Sequence, residues 1–274
     1  MNKIACSVPI LTLNCKKNLE RLLPAVVTAF DDVFIMDGNS TDGTQAYARS
    51  LGVRVEKQFE TDEPNQRIED FRSMRLRLWD RARCDWLLLL DSDMLPTDEL
   101  IALVRRVVAE QNVQTAHEVL RVVELPDGRT VTHAFFYPNA YPHLFARSSG
   151  VTLADRAVHE RLVFPPSVRF VRHTEAIRDP WPSAARMREK QMHYLSIEGA
   201  AMHRGGVAWW LRWIVWYNLR GFAGQLLAAL RATLAGWWTR GTPLPWSYNA
   251  IFLDYRLRSL FVNTHAWLRA RTRS

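Results

Sequence analysis

Short apolar runs alternate with longer amphipathic stretches over the first 110 residues. IACSVPILTL, DVFIMD, GVRVEK and DWLLLLD have the length and aliphatic content of strands. Between and after them, Lys16 to Ala29, Thr41 to Ser50, Gln66 to Arg83 and Thr97 to Glu110 show helical spacing of apolar positions. This alternation predicts an α/β fold, a mostly parallel sheet with helices on both faces. Ligands of such sheets bind beyond the carboxyl ends of the strands, where Asn14, Asp37, Asp91 and Asp93 fall.

The last run, WLLLLDSDMLPTDEL, sets buried-strand residues directly against two carboxylates. Were the strand to continue through them, Asp91 and Asp93 would share a face and converge on one spot, a clustering of like charge that calls for a cation. The second strand ends in FIMDGNSTDGT, where Gly38 and Gly43 permit close backbone approach and Ser40 or Thr41 can cap a helix. A turn or cap role alone accounts for Asp37 equally well. Two acidic strand ends together fit a diphosphate held by a divalent cation, with a nearby acid or amide selecting the nucleoside.

Composition changes the picture in two places. At 274 residues and 48% apolar content the chain can bury a sizeable core, as one large domain or one domain with an appendage. Cys6, Cys15 and Cys84 form neither a metal module nor a disulfide framework, which suits a reducing compartment. The N-terminal apolar run is too short and polar-edged for a signal peptide, so export is not expected. Charge, by contrast, is unevenly divided: residues 201–274 carry ten Arg and one acid, Asp254, for +9, against +8 for the whole chain. Eight of the eleven Trp lie there too, and this shift places a boundary near residue 195. Arg212, Arg220 and Arg231 interrupt the apolar stretch so that no uncharged run reaches the ~18 residues of a spanning helix. At 100° per residue they fall within a sector of about 100°, leaving Trp and Leu on the other faces. The expectation is one or two amphipathic helices, broken near Gly221, lying on an anionic membrane surface; packing against the rest of the chain or a dimer mate is the alternative.

The order TLN, MDGNSTDGT, DWLLLLDSDMLP resembles the nucleotide-binding half of family-two glycosyltransferases with the GT-A fold, over roughly residues 4–110. YPHLFARSSGVTLADRAVHERL is similar to the acceptor-side segment of the subset that elongates bacterial lipopolysaccharide core. The resemblance implies a GT-A catalytic domain over 1–195, with a nucleotide-sugar half to about 110 and an acceptor half from about 111; the composition shift adds a basic, Trp-rich helical extension over 196–274. It implies that Asp37 contacts the base, that Asn14, Asn39, Arg72 and Ser92 join it in the nucleotide-sugar site, and that Asp91 faces the ribose. Asp93 becomes the direct ligand of Mn²⁺ or Mg²⁺, with Asp91 beside it, and His173 falls where some GT-A enzymes add a histidine. For an inverting transfer, Glu160 matches the family's acidic position as general base, Asp155 is the alternative, and His159 could orient it. The turn DGNS departs from the usual DDGS or DNAS, and Met94-Leu95-Pro96 replaces a common acidic residue. These departures leave the ribose contact and the sugar open.

The implied reaction moves a sugar from a nucleotide donor to a glycolipid, lipid-linked or polysaccharide acceptor at the cytoplasmic membrane face, in an undetermined oligomeric state. A haloacid-dehalogenase-type phosphatase also uses Asp-x-Asp, but after its first strand and with a downstream Lys and another acidic pair; here the only Lys after Lys57 is Lys190, and no paired Asp follows it. A non-catalytic basic membrane-binding protein explains the C-terminal quarter and leaves the paired carboxylates unexplained. Nucleic acid is not expected at the carboxylates, which repel phosphate.

Overall fold

The apolar residues of the second predicted strand pack on both of its faces, because the sheet is covered on both sides. In the computed structural model, which describes residues 2–154, 161–201 and 205–272, β2 (Phe30–Asp37) sends Ile35 into one apolar cluster and Phe34 and Met36 into another. Alternate residues of a strand face opposite ways, so two covered faces require an unbroken apolar run. The same holds for the run at 86–90, where Trp86, Leu88 and Leu90 enter the first cluster and Leu87 and Leu89 the second.

The chain divides into two compact units, Met1–Val122 with Pro138–Pro180, and Val123–Tyr137 with Trp181–Ser274. The second unit therefore starts earlier than residue 195 and includes the 123–137 segment. Its own core explains this: Val123, Leu125, Val131 and Ala134 pack with Met187, Leu244, Tyr248 and Ile251.

In the first unit, β1 (Ile4–Thr12), α1 (Lys16–Ala29), β2, α2 (Thr44–Ser50), β3 (Arg54–Lys57), α3 (Phe71–Asp80) and β4 (Trp86–Leu88) alternate as the pattern predicts. There follow β5 (Leu95–Pro96), α4 (Asp98–Glu110), β6 (Thr115–Glu124), β7 (Ala140–Ala146), β8 (Thr152–Leu153), β9 (Leu162–Val163) and β10 (Arg169–Pro180). The main sheet has the order β3-β2-β1-β4-β7-β6-β10-β5; β8 and β9 pair separately. β1 pairs in parallel with β2 and β4, and β2 with β3, whereas β7 runs antiparallel to β4 and β6.

Two helix starts differ from the pattern. α2 begins at Thr44 because Gly43 turns left-handed (φ 88°) and the Asp42 carboxylate accepts from the Thr44 N–H at 2.9 Å. α3 begins at Phe71, capped by Asp70, which accepts from the Ser73 N–H at 3.1 Å.

In the second unit, α5 (Ala184–Ala201), α6 (Val207–Trp210), α7 (Tyr217–Trp238) and α8 (Trp246–Thr272) dominate. A π-helical segment, Leu211–Trp216, joins α6 to α7 without leaving helical dihedrals. The break expected near Gly221 does not occur. Gly221 lies within α7, where a side chain would crowd Arg256 of α8. The expected separation of basic and apolar faces is also corrected. Arg220, Leu227, Arg231, Leu234 and Trp238 are all exposed and project within about 60° of one another at 100° per residue. The buried positions of α7 are Asn218, Ala229, Thr233 and Gly236.

Asp32 ties the first unit together. Its buried carboxylate accepts from Ser7 Oγ (2.6 Å), the Arg83 N–H (2.8 Å) and Arg54 Nη2 (3.1 Å), linking β1, β2, β3 and the turn before β4. Asp32→Ala leaves these donors unpaired, and a loss of about 3 kcal/mol in unfolding free energy is expected by urea denaturation.

Candidate active site

The Asp-x-Asp pair sits in a turn. β4 ends at Leu88, one further bond runs from the Leu89 N–H to the His143 carbonyl (2.8 Å), and the Met94 N–H closes back on the Asp91 carbonyl (3.0 Å). The expectation of a shared strand face for Asp91 and Asp93 is therefore corrected, because strand parity ends where sheet pairing ends. Both residues, with Ser92 between them, are half-buried beyond the carboxyl end of β4.

Asp91 opens onto a cavity of about 300 Å³ lined also by Arg75, Trp79, Arg121, Tyr141 and His143. Arg75, one turn along α3 from Arg72, donates to Asp91 Oδ1 at 3.1 Å. Burial pushes the Asp91 carboxyl up, but Arg75 and Arg121, with His143, outweigh it and hold it below the ordinary carboxylate range. Arg121 is itself held by Asp179 of β10 at 2.7 Å. Arg72 points elsewhere, its Nε donating to the Leu153 carbonyl at 3.3 Å.

At the end of β2 the predicted nucleotide contacts form a frame of hydrogen bonds. Asp37 is 1% exposed, and accepts from Thr12 Oγ1 (2.7 Å), Ser40 N (2.8 Å), Ser40 Oγ (2.7 Å) and Gln45 Nε2 (2.7 Å). In place of an open contact, the structure gives Asp37 a braced carboxylate. Asn39 donates to the Thr61 and Glu63 carbonyls at 2.7 and 2.8 Å, and Asn14, exposed, donates to Asn65 Oδ1 at 2.7 Å. Asn14, Asn39 and Asn65 are all left-handed (φ 49°, 58° and 58°), a conformation asparagine tolerates better than most side chains. The loop carrying Gln66 lies so close over Gly38 that a side chain there would strike the Gln66 carbonyl.

His173 is not brought to the aspartates by any observed contact. Its Nε2 lies 2.9 Å from His117 Nδ1 and the rings stack, so the expected metal ligand is instead half of a histidine pair. Among the described residues, no three His, Cys, Asp or Glu side chains gather in metal-holding geometry. Asp155, His159 and Glu160 lie outside the described residues.

A family model described as glycosyl transferase family 2 matches residues 7–164. The chain belongs to glycosyl transferase family 2. This sets aside the phosphatase alternative. The fold is GT-A, with C-terminal helices added. Among solved structures, the family-2 chain is similar to the mannosyltransferase PcManGT from Pyrobaculum calidifontis, with 13% identity over 96% of this chain and 88% of that one, at a TM-score of 0.51. It is similar also to Staphylococcus aureus TarS 1-349, with 15% identity over 98% and 92% at a TM-score of 0.46. It spans less than half the length of glucosyl-3-phosphoglycerate synthase from Mycobacterium tuberculosis, where 20% identity covers 44% of each chain at a TM-score of 0.31.

Sequence reasoning singled out neither Arg75 nor Trp79, Arg121 and His143. Arg75 had a signal, being three residues from Arg72 and so on the same side of one helix. The others come from elements whose pairing is non-local.

Burial pushes the His143 imidazole from its usual 6.5 to about 4, and burial with the neighbouring His173 does the same for His117. Below about pH 6.5 the unfolded chain takes up protons that these rings refuse until about pH 4, so stability is lost as pH falls through that window. Urea midpoints at pH 7, 5.5 and 4.5 should decline steadily in the native chain and less steeply in a His117→Gln/His143→Gln double variant.

Proposed function

We propose that the family-2 chain is an inverting glycosyltransferase that moves a hexose from a nucleotide-sugar donor to a glycolipid or lipid-linked acceptor, of the kind found in lipopolysaccharide-core assembly, at the inner face of the cell membrane. The observation that carries the donor half is the ionised Asp91, set with Asp93 beyond β4 and opening onto a lined cavity. Two carboxylates supply hard oxygen donors, so this donor set fits Mn²⁺ or Mg²⁺. Such a cation, when bound, offsets the negative charge that grows on the departing diphosphate. The Pyrobaculum calidifontis mannosyltransferase of the same fold is in complex with GDP-Man and Mn²⁺, which supports this part of the reading.

The chain's own residues divide the remaining work. Arg75 keeps a permanent positive charge beside Asp91, where a guanidinium can also meet phosphate oxygens. Asn14, Asn39 and the braced Asp37 hold the loop against which a nucleoside is placed. The proton of the acceptor hydroxyl goes to a carboxylate, assigned to Glu160 with Asp155 as the alternative. Asp93→Asn should abolish transfer and Mn²⁺-dependent nucleotide binding with the melting temperature little changed, and full activity in that variant sinks the assignment. In the same assay Glu160→Gln should bind donor normally and lose transfer by at least about a hundredfold; transfer spared there and lost in Asp155→Asn moves the base to Asp155.

The acceptor half rests on the second unit. No helix among the described residues is long and apolar enough to cross a membrane. Yet Trp213, Trp216, Trp237 and Trp238 are 52%, 61%, 71% and 88% exposed, with Arg212, Arg220 and Arg231 exposed among them. Trp favours the headgroup region and Arg favours anionic lipid. Substituting the three Arg by Gln should weaken binding to phosphatidylglycerol vesicles and remove most of its salt dependence. Trp213, Trp216, Trp237 and Trp238 changed together to Ala should release the protein at any salt. Unchanged vesicle binding in both sets removes the membrane role.

A further inference from the structure

The cavity beside Asp91 contains more polar hydrogen-bonding capacity than the protein itself uses. Three of its lining side chains carry a buried nitrogen with no hydrogen-bond partner among the described residues: Trp79 Nε1, Arg121 Nε and His143 Nε2. Trp79 and His143 are only 4% and 3% exposed. Buried polar atoms are costly to leave unpaired, and each such group asks for an explanation. Here three occur around one cavity.

Their chemistry restricts what could satisfy them. Trp79 Nε1 and Arg121 Nε can only donate. His143 differs: its Nδ1 lies 2.6 Å from the Leu89 carbonyl, which can only accept, so the proton is on Nδ1. Buried and neutral, the ring then presents a lone pair at Nε2. A partner must therefore accept at two points and donate at a third. Carboxylates and phosphates only accept and would leave Nε2 unmet, whereas hydroxyls do both. Leu89, Met94, Leu153 and Leu162 add apolar wall, Asp91, Arg75 and Tyr141 complete the lining, and about 300 Å³ is small for a ligand site, enough for one ring and not for a whole nucleotide sugar.

We propose that this cavity takes the hexose ring of the donor, and that Trp79, Arg121 and His143 determine which sugar is accepted by reading its hydroxyls, with His143 Nε2 accepting a hydrogen bond from one of them. The inference rests on the nucleotide-sugar reading and extends it to the selection of a neutral, hydroxyl-bearing ring beside Asp91.

Binding to the purified full chain with Mn²⁺ separates the two. UDP, GDP, UDP-glucose, UDP-galactose and GDP-mannose are titrated calorimetrically against native protein and three variants. Trp79→Phe removes the N–H and keeps the ring that packs edge-on against Phe145. His143→Asn keeps a donor for the Leu89 carbonyl and loses the outer acceptor, which His143→Gln restores. The tightest nucleotide sugar should lose about tenfold in affinity in Trp79→Phe and in His143→Asn, with the parent diphosphate changed less than about twofold and His143→Gln recovering most of the loss. Deoxyfluoro donors, which accept but cannot donate, should weaken binding to native protein at one ring position and make no further difference in His143→Asn. Equal losses for diphosphate and nucleotide sugar, no loss in either variant, or a change confined to acceptor KM overturns the subsite while leaving the transferase reading standing. Failure of native protein to bind any of the five ligands overturns both.

Discussion

A carboxylate ionised at the edge of a buried sheet is the constraint around which the first unit is arranged. Taken alone, burial would push Asp91 toward its neutral form. Arg75 and Arg121 reverse that balance, and each must be brought from a distant element. α3 carries Arg75 across, β6 carries Arg121, and Asp179 on β10 holds Arg121 in place at 2.7 Å. Just before the carboxylate, Leu89, which follows β4, and His143 of β7 exchange two contacts, Leu89 N–H to the His143 carbonyl and His143 Nδ1 to the Leu89 carbonyl, at 2.8 and 2.6 Å. One charge thus sits where α3 and four strands, β4, β6, β7 and β10, come together.

Two other acidic residues of the parallel half show a different solution to the same problem. Asp32 and Asp37 stand at opposite ends of β2, and both surrender their acceptor capacity to the protein, Asp32 to three donors and Asp37 to four. Such carboxylates tie loops to strands and leave little over for a ligand. Asp91 shares one oxygen with Arg75 and keeps nearly half of its side-chain surface open. The difference between a bracing acid and an acid available for chemistry is therefore one of hydrogen-bond saturation, and residue type alone does not reveal it.

That distinction marks how far the sequence could be read. The alternation of strands and helices, the two-sided burial of β2 and the position of the acidic turn follow from local periodicity, which is a property of neighbouring residues. The resemblance points to Arg72 in a helix expected from Gln66; the helix starts later, at the capping bond of Asp70, and which arginine reaches Asp91 depends on packing that spans α3 and β4. His143 and Arg121 were invisible as site residues because antiparallel pairing of β7 with β4 and β6 brings them to the cavity. Strand parity misplaced the Asp91/Asp93 geometry for a related reason: pairing partners, not composition, decide where a strand stops.

The second unit inverts the usual logic of an amphipathic helix. In water, a helix packs its large apolar residues inward and turns small or polar ones outward. α7 buries Asn218, Ala229, Thr233 and Gly236 and turns Leu227, Leu230, Leu234, Trp237 and Trp238 out. The buried polar atoms are not stranded, since Asn218 and Thr233 donate back to the Ile214 and Ala229 carbonyls at 2.8 Å each. Small residues inside let backbones approach closely, and Pro243 comes within van der Waals reach of where a side chain on Gly236 would be. A helix built this way gains its packing from closeness and leaves its hydrophobic area for an apolar surrounding. Arg220 and Arg231 on the same outward side keep that surrounding shallow, because guanidinium groups must stay at headgroup depth. Inversion and interspersed charge together favour a surface-lying helix over either a spanning or a water-facing one, and this is the physical ground on which the membrane proposal stands.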